Sequence, residues 1–380
     1  MKCINKRKHV HKTEVISKMR QIEQAKDVSK TEQLHAGRTI CNTGIASHAW
    51  NKGKAAYKGW KAPAALAAMA LCVTLACGCG EPEKIENAYD ITESTKSYGL
   101  SSEHSETSQS FFAEDIAVAG NENKPLANVT DSLSQAAALF DLTEDTMLFG
   151  KNIHERLYPA STTKILTAYV ALKHGDLAAT ATVTDAELQL EAGSSTCGLK
   201  TGETLTLQEL LYGLILCSGN DAANVIADLV SGSTEEFTKL MNQEAKKLGA
   251  TNSNFVNPHG LQDEQHYTTV YDMYLIFQAA MQNEEFEKII SSTEHTCQFT
   301  SPSGASSTKD WKTTNKFLNG EKQQPEGVQV IGGKTGTTSD AGSCLVLYSK
   351  KGEKPYISIV FKADNPDNLY QEMEEMLKAI

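Results

Sequence analysis

Three short polar motifs follow one another along the chain: Ser161-Thr162-Thr163-Lys164, Ser218-Gly219-Asn220 and Lys334-Thr335-Gly336. A serine hydroxyl is a weak nucleophile at its free pKa, so acyl transfer through serine needs a base beside it and donors for the oxyanion its attack creates. Ser161 with Lys164 three residues on supplies a nucleophile and an amine that share one helix face. A lysine held against apolar surface near a second cation has its pKa lowered and becomes able to take the serine proton. Ser218 can relay a proton, and the Asn220 carboxamide can bind a substrate amide. Lys334 brings positive charge, Gly336 allows close approach, and Thr335, Thr337 and Thr338 bring hydroxyls suited to a carboxylate.

Taken singly, each motif has an ordinary explanation. Ser-x-x-Lys recurs at Ser306-Ser307-Thr308-Lys309, in a stretch whose serines and glycine read as a loop, and Lys-Thr-Gly recurs at Lys200-Thr201-Gly202, in a turn before a helix. Ser218-Gly219-Asn220 reads equally well as a helix-helix turn with Asn220 as the cap. Order and context choose among the copies. An apolar run, Ile165 to Leu172, follows Ser161, and a strand leads into Lys334.

The elements that must position these residues follow from patterning. Ala136 to Leu142 and Met147 to Gly150 read as a β-hairpin. Capping boxes at Thr184/Glu187, Thr206/Glu209 and Ser233/Glu236 mark helix starts. Leu207 to Leu216 is apolar on nearly every side and predicts a buried helix. Helices are expected over Asp221–Val230, Glu235–Leu248 and Thr268–Gln282, strands over Val328–Ile331, Ser343–Tyr348 and Tyr356–Phe361, and an amphipathic helix from Asn368 to the end. Strands at both ends with helices between them predict an α+β (α/β) fold: an antiparallel sheet of sequence-distant strands, flanking helices and a helical lobe, with the site between the lobes.

The 380 residues carry a net charge of −11 and are 40% hydrophobic, enough for a large core. The acidic balance argues against a nucleic-acid partner, which selects clustered basic surface. Ala62 to Ala76 is an uncharged apolar run preceded by Lys52, Lys54, Lys58 and Lys61, shorter than the roughly 20 residues that span a bilayer comfortably. It reads as an export signal. Cys77 and Cys79 follow small residues as a lipid-bearing cysteine would, and an uncleaved signal-anchor is the alternative. The expected layout is a basic extension over 1–61 with Met19 as a second possible start, the signal over 62–80, a polar tether over 81–128 and the body over 129–380. The protein is expected outside the cytoplasm, held to the membrane at its N-terminal end. Of nine cysteines, Cys197, Cys217, Cys297 and Cys344 fall in the body without metal-site spacing. No metal or cofactor is expected, and a disulfide among the four stays open.

The wording around the motifs resembles a known family, the D-alanyl-D-alanine carboxypeptidases among the low-molecular-weight penicillin-binding proteins. The likeness runs from about Ala136 to Phe361 and rests on Tyr158-Pro159-Ala160-Ser161-Thr162-Thr163-Lys164, Ser218 to Asn224, Asn257-Pro258-His259-Gly260-Leu261 and Gly333 to Thr338. The resemblance implies a β-lactamase-like fold, Ser161 as nucleophile, Lys164 as general base, and Ser218 with Asn220 as relay and substrate-amide contact. It implies an oxyanion hole from the amides of Ser161 and Thr337, and a terminal carboxylate bound at Thr335 or Thr338 with Lys334 and Gly336 beside it. Peptidoglycan stem peptides ending in D-Ala-D-Ala would be the substrate and β-lactams the inhibitors. It gives His259 a turn role rather than that of a base, and Asp221 reads as a helix-start residue. Many members carry a β-rich second domain and a C-terminal anchor, for which this sequence has no counterpart, so anchoring is expected at the N-terminal end. The competing readings are a serine β-lactamase, which would need a Glu-x-x-Leu-Asn loop not found between Asn220 and Lys334, and a non-catalytic penicillin-binding sensor.

Overall fold

The computed structural model describes residues 115–380, so the expectations for the signal and the two candidate lipid-bearing cysteines lie outside the described residues. The chain opens its main sheet with β1 (Ser134–Asp141) and β2 (Thr146–Lys151), the expected hairpin. A 3-10 turn, Ala160–Thr163, runs into α1 (Lys164–His174). Two short strands, β3 (Thr180–Thr182) and β4 (Thr204–Thr206), precede the helical lobe of α2 (Leu207–Leu216), α3 (Asn220–Ser231), α4 (Thr234–Lys247), α5 (Val270–Met281) and α6 (Glu284–Ile290). The chain then forms β5 (Glu294–Thr300), β6 (Ser306–Lys312), β7 (Val328–Thr338), β8 (Gly342–Lys351), β9 (Lys354–Ala363) and α7 (Pro366–Lys378).

The main sheet has the order β2-β1-β9-β8-β7 and is antiparallel throughout, so strands from the two ends of the body pair at its centre. The alternation of side chains along a strand separates two cores. Ala136, Ala138 and Phe140 of β1, with Ile357, Ile359 and Phe361 of β9, face the helical lobe. Ala137, Leu139, Leu345, Leu347 and Val360 face α7, which covers them with Leu369, Met373, Met376 and Leu377. Within the first core Phe140 stacks on Tyr274 of α5 at 3.9 Å between centroids, a contact worth about 1 kcal/mol beyond its area.

Local physics accounts for the boundaries of the helices beside the site. Thr206 caps α2 by accepting from the Glu209 amide, Ser233 caps α4 through Glu236, and Thr269 caps α5 through Asp272. The Thr184/Glu187 box forms its reciprocal bond but no helix follows; residues 184–200 are turns and extended chain. Two polar bonds close a turn, but the following Gln189 to Ser195 offers little apolar surface to bury, and Gly193 takes φ +84°. A second sheet, β3-β4-β5-β6, was not foreseen. Its β5–β6 hairpin alternates polar residues with few apolar ones, which hides a strand from hydrophobic patterning. Part of the stretch expected as tether is packed on the body. Ala117 is fully buried, its amide donates to the Tyr274 hydroxyl, and Lys124 exchanges two backbone bonds with Gly150.

Candidate active site

Ser161 sits in the 3-10 turn rather than in the α-helix itself, and the turn is held in an unusual conformation. Ala160 has φ +47°, a left-handed backbone that costs a non-glycine residue about 1 kcal/mol or more. Three groups hold it there. The Thr163 hydroxyl donates to the Ala160 carbonyl, His266 stands behind Thr163 at 2.8 Å, and Gly260 packs so closely that a Cβ there would fall 1.9 Å from the Ala160 oxygen. The Val256 amide donates to His266 Nδ1, so the ring proton sits on Nε2 and is given to Thr163. Burial holds this imidazole down to about 4, hence neutral.

Lys164 is completely buried and has three partners: Ser161 Oγ at 2.9 Å, Asn220 Oδ1 at 2.6 Å and the His259 carbonyl at 2.6 Å. None carries charge. Burial lowers its pKa well below the usual lysine value, and the Lys334 cation lowers it further. A neutral amine has two N–H bonds and one lone pair. The two carbonyl oxygens can only accept, so they take the N–H bonds, and the lone pair is left for the Ser161 hydroxyl proton. The surroundings of Lys164 thus suit a base aimed at Ser161.

Ser218, at φ +56°, bridges the end of α2 and the start of α3. Gly219 is the cap and Asn220 the first helical residue, which differs by one position from the capping expectation for Asn220. Asn220 Oδ1 is taken by Lys164, so its NH2 end remains for a substrate carbonyl. Lys334, also fully buried, donates to Ser218 Oγ at 3.0 Å and to the Thr335 carbonyl at 2.8 Å. Burial pulls its pKa down to about 7. Repulsion between the two lysines works against both carrying charge at once.

The Lys-Thr-Gly segment lies within β7 rather than after it, on the open edge of the main sheet. At Gly336 the strand touches the nucleophile turn: a Cβ there would stand 2.9 Å from the Ser161 nitrogen and 3.0 Å from that of Thr162. The absent side chain lets the β7 backbone come up to the Ser161 amide, with Thr337 next along the strand. The Thr338 hydroxyl accepts from the Ala341 amide and closes the β7–β8 turn, whereas the Thr335 hydroxyl meets Thr314 at 2.7 Å.

Residues 121–365 match the sequence model of the D-alanyl-D-alanine carboxypeptidase family, peptidase S11. This chain belongs to that family. It is 36% identical over 248 residues to D-alanyl-D-alanine carboxypeptidase DacF of Bacillus subtilis, covering 64% of this chain and 61% of the relative. The chain therefore spans about three fifths of the length of that relative, and the same holds for DacC of Escherichia coli. The crystal structure of the Streptomyces K15 DD-transpeptidase superposes with a TM-score of 0.59 at 30% identity, over 67% of this chain and 98% of the other. That of the D-alanyl-D-alanine carboxypeptidase from Mycobacterium tuberculosis gives 0.59 at 29% identity, over 67% and 94%. The expected penicillin-binding, β-lactamase-like fold is thereby established.

Within this S11 domain the second copies of the motifs lie elsewhere. Ser306 to Lys309 is on strand β6, not in a loop, and Lys309 bonds the Gly198 carbonyl and Glu203. Lys200 to Gly202 leads into a turn, as expected, but the short strand β4 stands between that turn and the helix. The Asn-Pro-His-Gly turn acts through its backbone: Pro258 accepts from the Thr167 hydroxyl, His259 from Lys164. The His259 ring, lowered to about 3 first by burial and then by Lys164, accepts from the Leu261 amide. Asp221 accepts from the amides of Cys197 and Leu199 and so fixes the 195–199 segment beside Asn220, a task wider than starting a helix. The four body cysteines are all free thiols. Sequence reasoning missed Thr314 and the two turn carbonyls, because no residue type marks a backbone acceptor and Thr314 is one threonine in a polar run.

Proposed function

We propose that this protein is a serine D-Ala-D-Ala carboxypeptidase that removes the terminal D-alanine from peptidoglycan stem peptides through an acyl-enzyme. The observation that carries this reading is the buried, three-partner seat of Lys164 at 2.9 Å from Ser161 Oγ. Ser161 attacks the penultimate D-alanine carbonyl as Lys164 takes its proton. The amides of Ser161 and Thr337 receive the oxyanion, and Ser218 hands its proton to the leaving amine while the Lys334 ammonium bonded to its oxygen replaces it. Asn220 NH2 holds a carbonyl of the acyl side, and the free carboxylate meets Thr335 next to Lys334 and Gly336. Water then attacks the ester by the same route reversed. β-Lactams acylate the same serine.

The names of the relatives support this substrate class, and the signal-like segment at 62–80 supports export and tethering at the N-terminal end, at Cys77 or Cys79. Mass spectrometry of the membrane-extracted protein reads the lipid directly. The deciding assay follows D-alanine release from a pentapeptide ending in D-Ala-D-Ala alongside penicillin turnover. Release with slow penicillin turnover is expected, together with covalent labelling by fluorescent penicillin that Ser161→Ala abolishes and Ser306→Ala retains. Fast penicillin hydrolysis without D-alanine release would mean a β-lactamase, and neither activity a binding protein.

A further inference from the structure

Thr314 comes from the second sheet, just beyond β6, yet its hydroxyl lies 2.7 Å from that of Thr335 on β7. Exposure alternates along this segment: Trp311 buried, Lys312 exposed, Thr313 buried, Thr314 exposed, Asn315 buried. The backbone is pinned on both sides of Thr314. The Thr313 amide extends the hairpin ladder to the Thr293 carbonyl, the Asn315 amide donates to the Thr313 hydroxyl, and the Lys316 amide donates to the Tyr370 hydroxyl. Asn315 fits under β7 at Gly333, where a Cβ would stand 3.2 Å from its Nδ2. Thr314 is thus held out from a rigid seat.

We propose that Thr314 is a second carboxylate-binding residue, forming with Thr335 a two-hydroxyl cradle for the free C-terminus of the substrate; this rests on the carboxypeptidase reading above. Two hydroxyls in contact hold two protons, and one of these is spent between them. A carboxylate accepts at both oxygens and donates nothing, so on its arrival both hydroxyls rotate outward and each donates to one oxygen. One neutral bond is exchanged for two charge-assisted ones. Among the described residues the single arginine, Arg156, stacks on Tyr267, so the cradle and Lys334 do the work that a guanidinium fork does elsewhere. Recognition by hydroxyls beside a single lysine, without a guanidinium fork, makes the second threonine matter for selecting a free acid.

The test compares the full-length protein with Thr314→Val and Thr314→Ser. One measurement is kcat/KM for release from an N-acylated peptide ending in D-Ala-D-Ala and from the same peptide as its C-terminal amide. The other is the rate of Ser161 acylation, by mass spectrometry, with a penicillin and with its carboxylate methyl ester. Thr314→Val should lower both free-acid rates about tenfold, mainly through KM, leave amide and ester within about twofold, and Thr314→Ser should restore the acids. Equal losses on acid and ester, or no loss on either, overturn the proposal. Failure of the wild type to release D-alanine overturns the carboxypeptidase reading instead, and the acylation pair still decides the role of Thr314.

Discussion

Ser161 to Lys164 and Ser306 to Lys309 share a spacing and almost a composition, and the two segments behave in opposite ways. In the first, a helical turn brings residues i and i+3 to one face, and the amine reaches the hydroxyl at 2.9 Å. In the second, β6 turns residues i and i+3 to opposite faces, and Lys309 reaches away to the Glu203 carboxylate and the Gly198 carbonyl. The lysines differ as much as the backbones. Lys164 is buried among neutral acceptors beside another cation, and Lys309 has a carboxylate partner. A lysine buried without a counter-charge makes a base; a half-buried one paired with a buried carboxylate makes a structural clamp.

The sharpest way to break this contrast is to exchange each lysine for methionine. Lys164→Met should lower Ser161 acylation by about 10²–10⁴-fold, the usual loss of a general base, while shifting the thermal midpoint little, because the cost of burying an amine without a counter-charge is gone but the Asn220 and His259 oxygens lose its N–H bonds. Stopped-flow labelling with a fluorescent penicillin and calorimetry read the two effects. If Lys164→Met acylates at the wild-type rate, Lys164 is not the base. Lys309→Met should do the reverse: acylation within about twofold, but a loss of about 2 kcal/mol, since Glu203 is left buried with only the Lys200 amide to bond. A full-activity, full-stability Lys309→Met would mean that the clamp is idle.

Glu372 on α7 extends the comparison to a buried acid without an ion-pair partner. Neither carboxyl oxygen has a well-formed hydrogen bond, and burial, opposed by the nearby Ser134 hydroxyl and Lys151, raises its pKa from 4.5 to about 7. The folded chain therefore holds this proton more tightly than the unfolded chain. The associated stability is full below pH 4.5 and is lost as pH rises to about 7. Glu372→Gln should match the wild type in acid and exceed it by about 3 kcal/mol above pH 7, measured by denaturant melts across that range. A constant difference at all pH values would contradict the raised pKa.

The two lysines of the site also set the pH profile. As pH falls through the lowered Lys164 pKa the base is protonated, and kcat/KM drops about tenfold per unit. As pH rises through about 7, Lys334 gives up its charge and the KM for the free-acid peptide climbs. Lys334→Arg, which keeps its charge, should remove the alkaline limb. An alkaline limb unchanged in Lys334→Arg would assign it to another group. Lysines lowered in this way also make the fold less stable as pH falls from 10.5 toward 7, since the unfolded chain binds their protons and the folded chain does not.

Much of this was legible in the residues alone. The apolar run after Ser161 required a buried helix, the Thr206 and Ser233 boxes placed two helix starts, and the strand leading into Lys334 separated it from Lys200. These are local effects of period and capping, which act within a few residues. The order of the motifs and their wording were enough to name the family. Only the tertiary structure decided that Ser306 lies on a strand, that Thr184 caps nothing, that Thr314 meets Thr335 from another sheet, and that backbone carbonyls of the Pro258-His259 turn hold Lys164 and Thr167. Each of these depends on which chain segment packs against which, 21 residues apart for the two threonines and 95 for Lys164 and His259. Burial and desolvation, which turn a lysine into a base, are properties of that packing, and no residue carries them in its own letter.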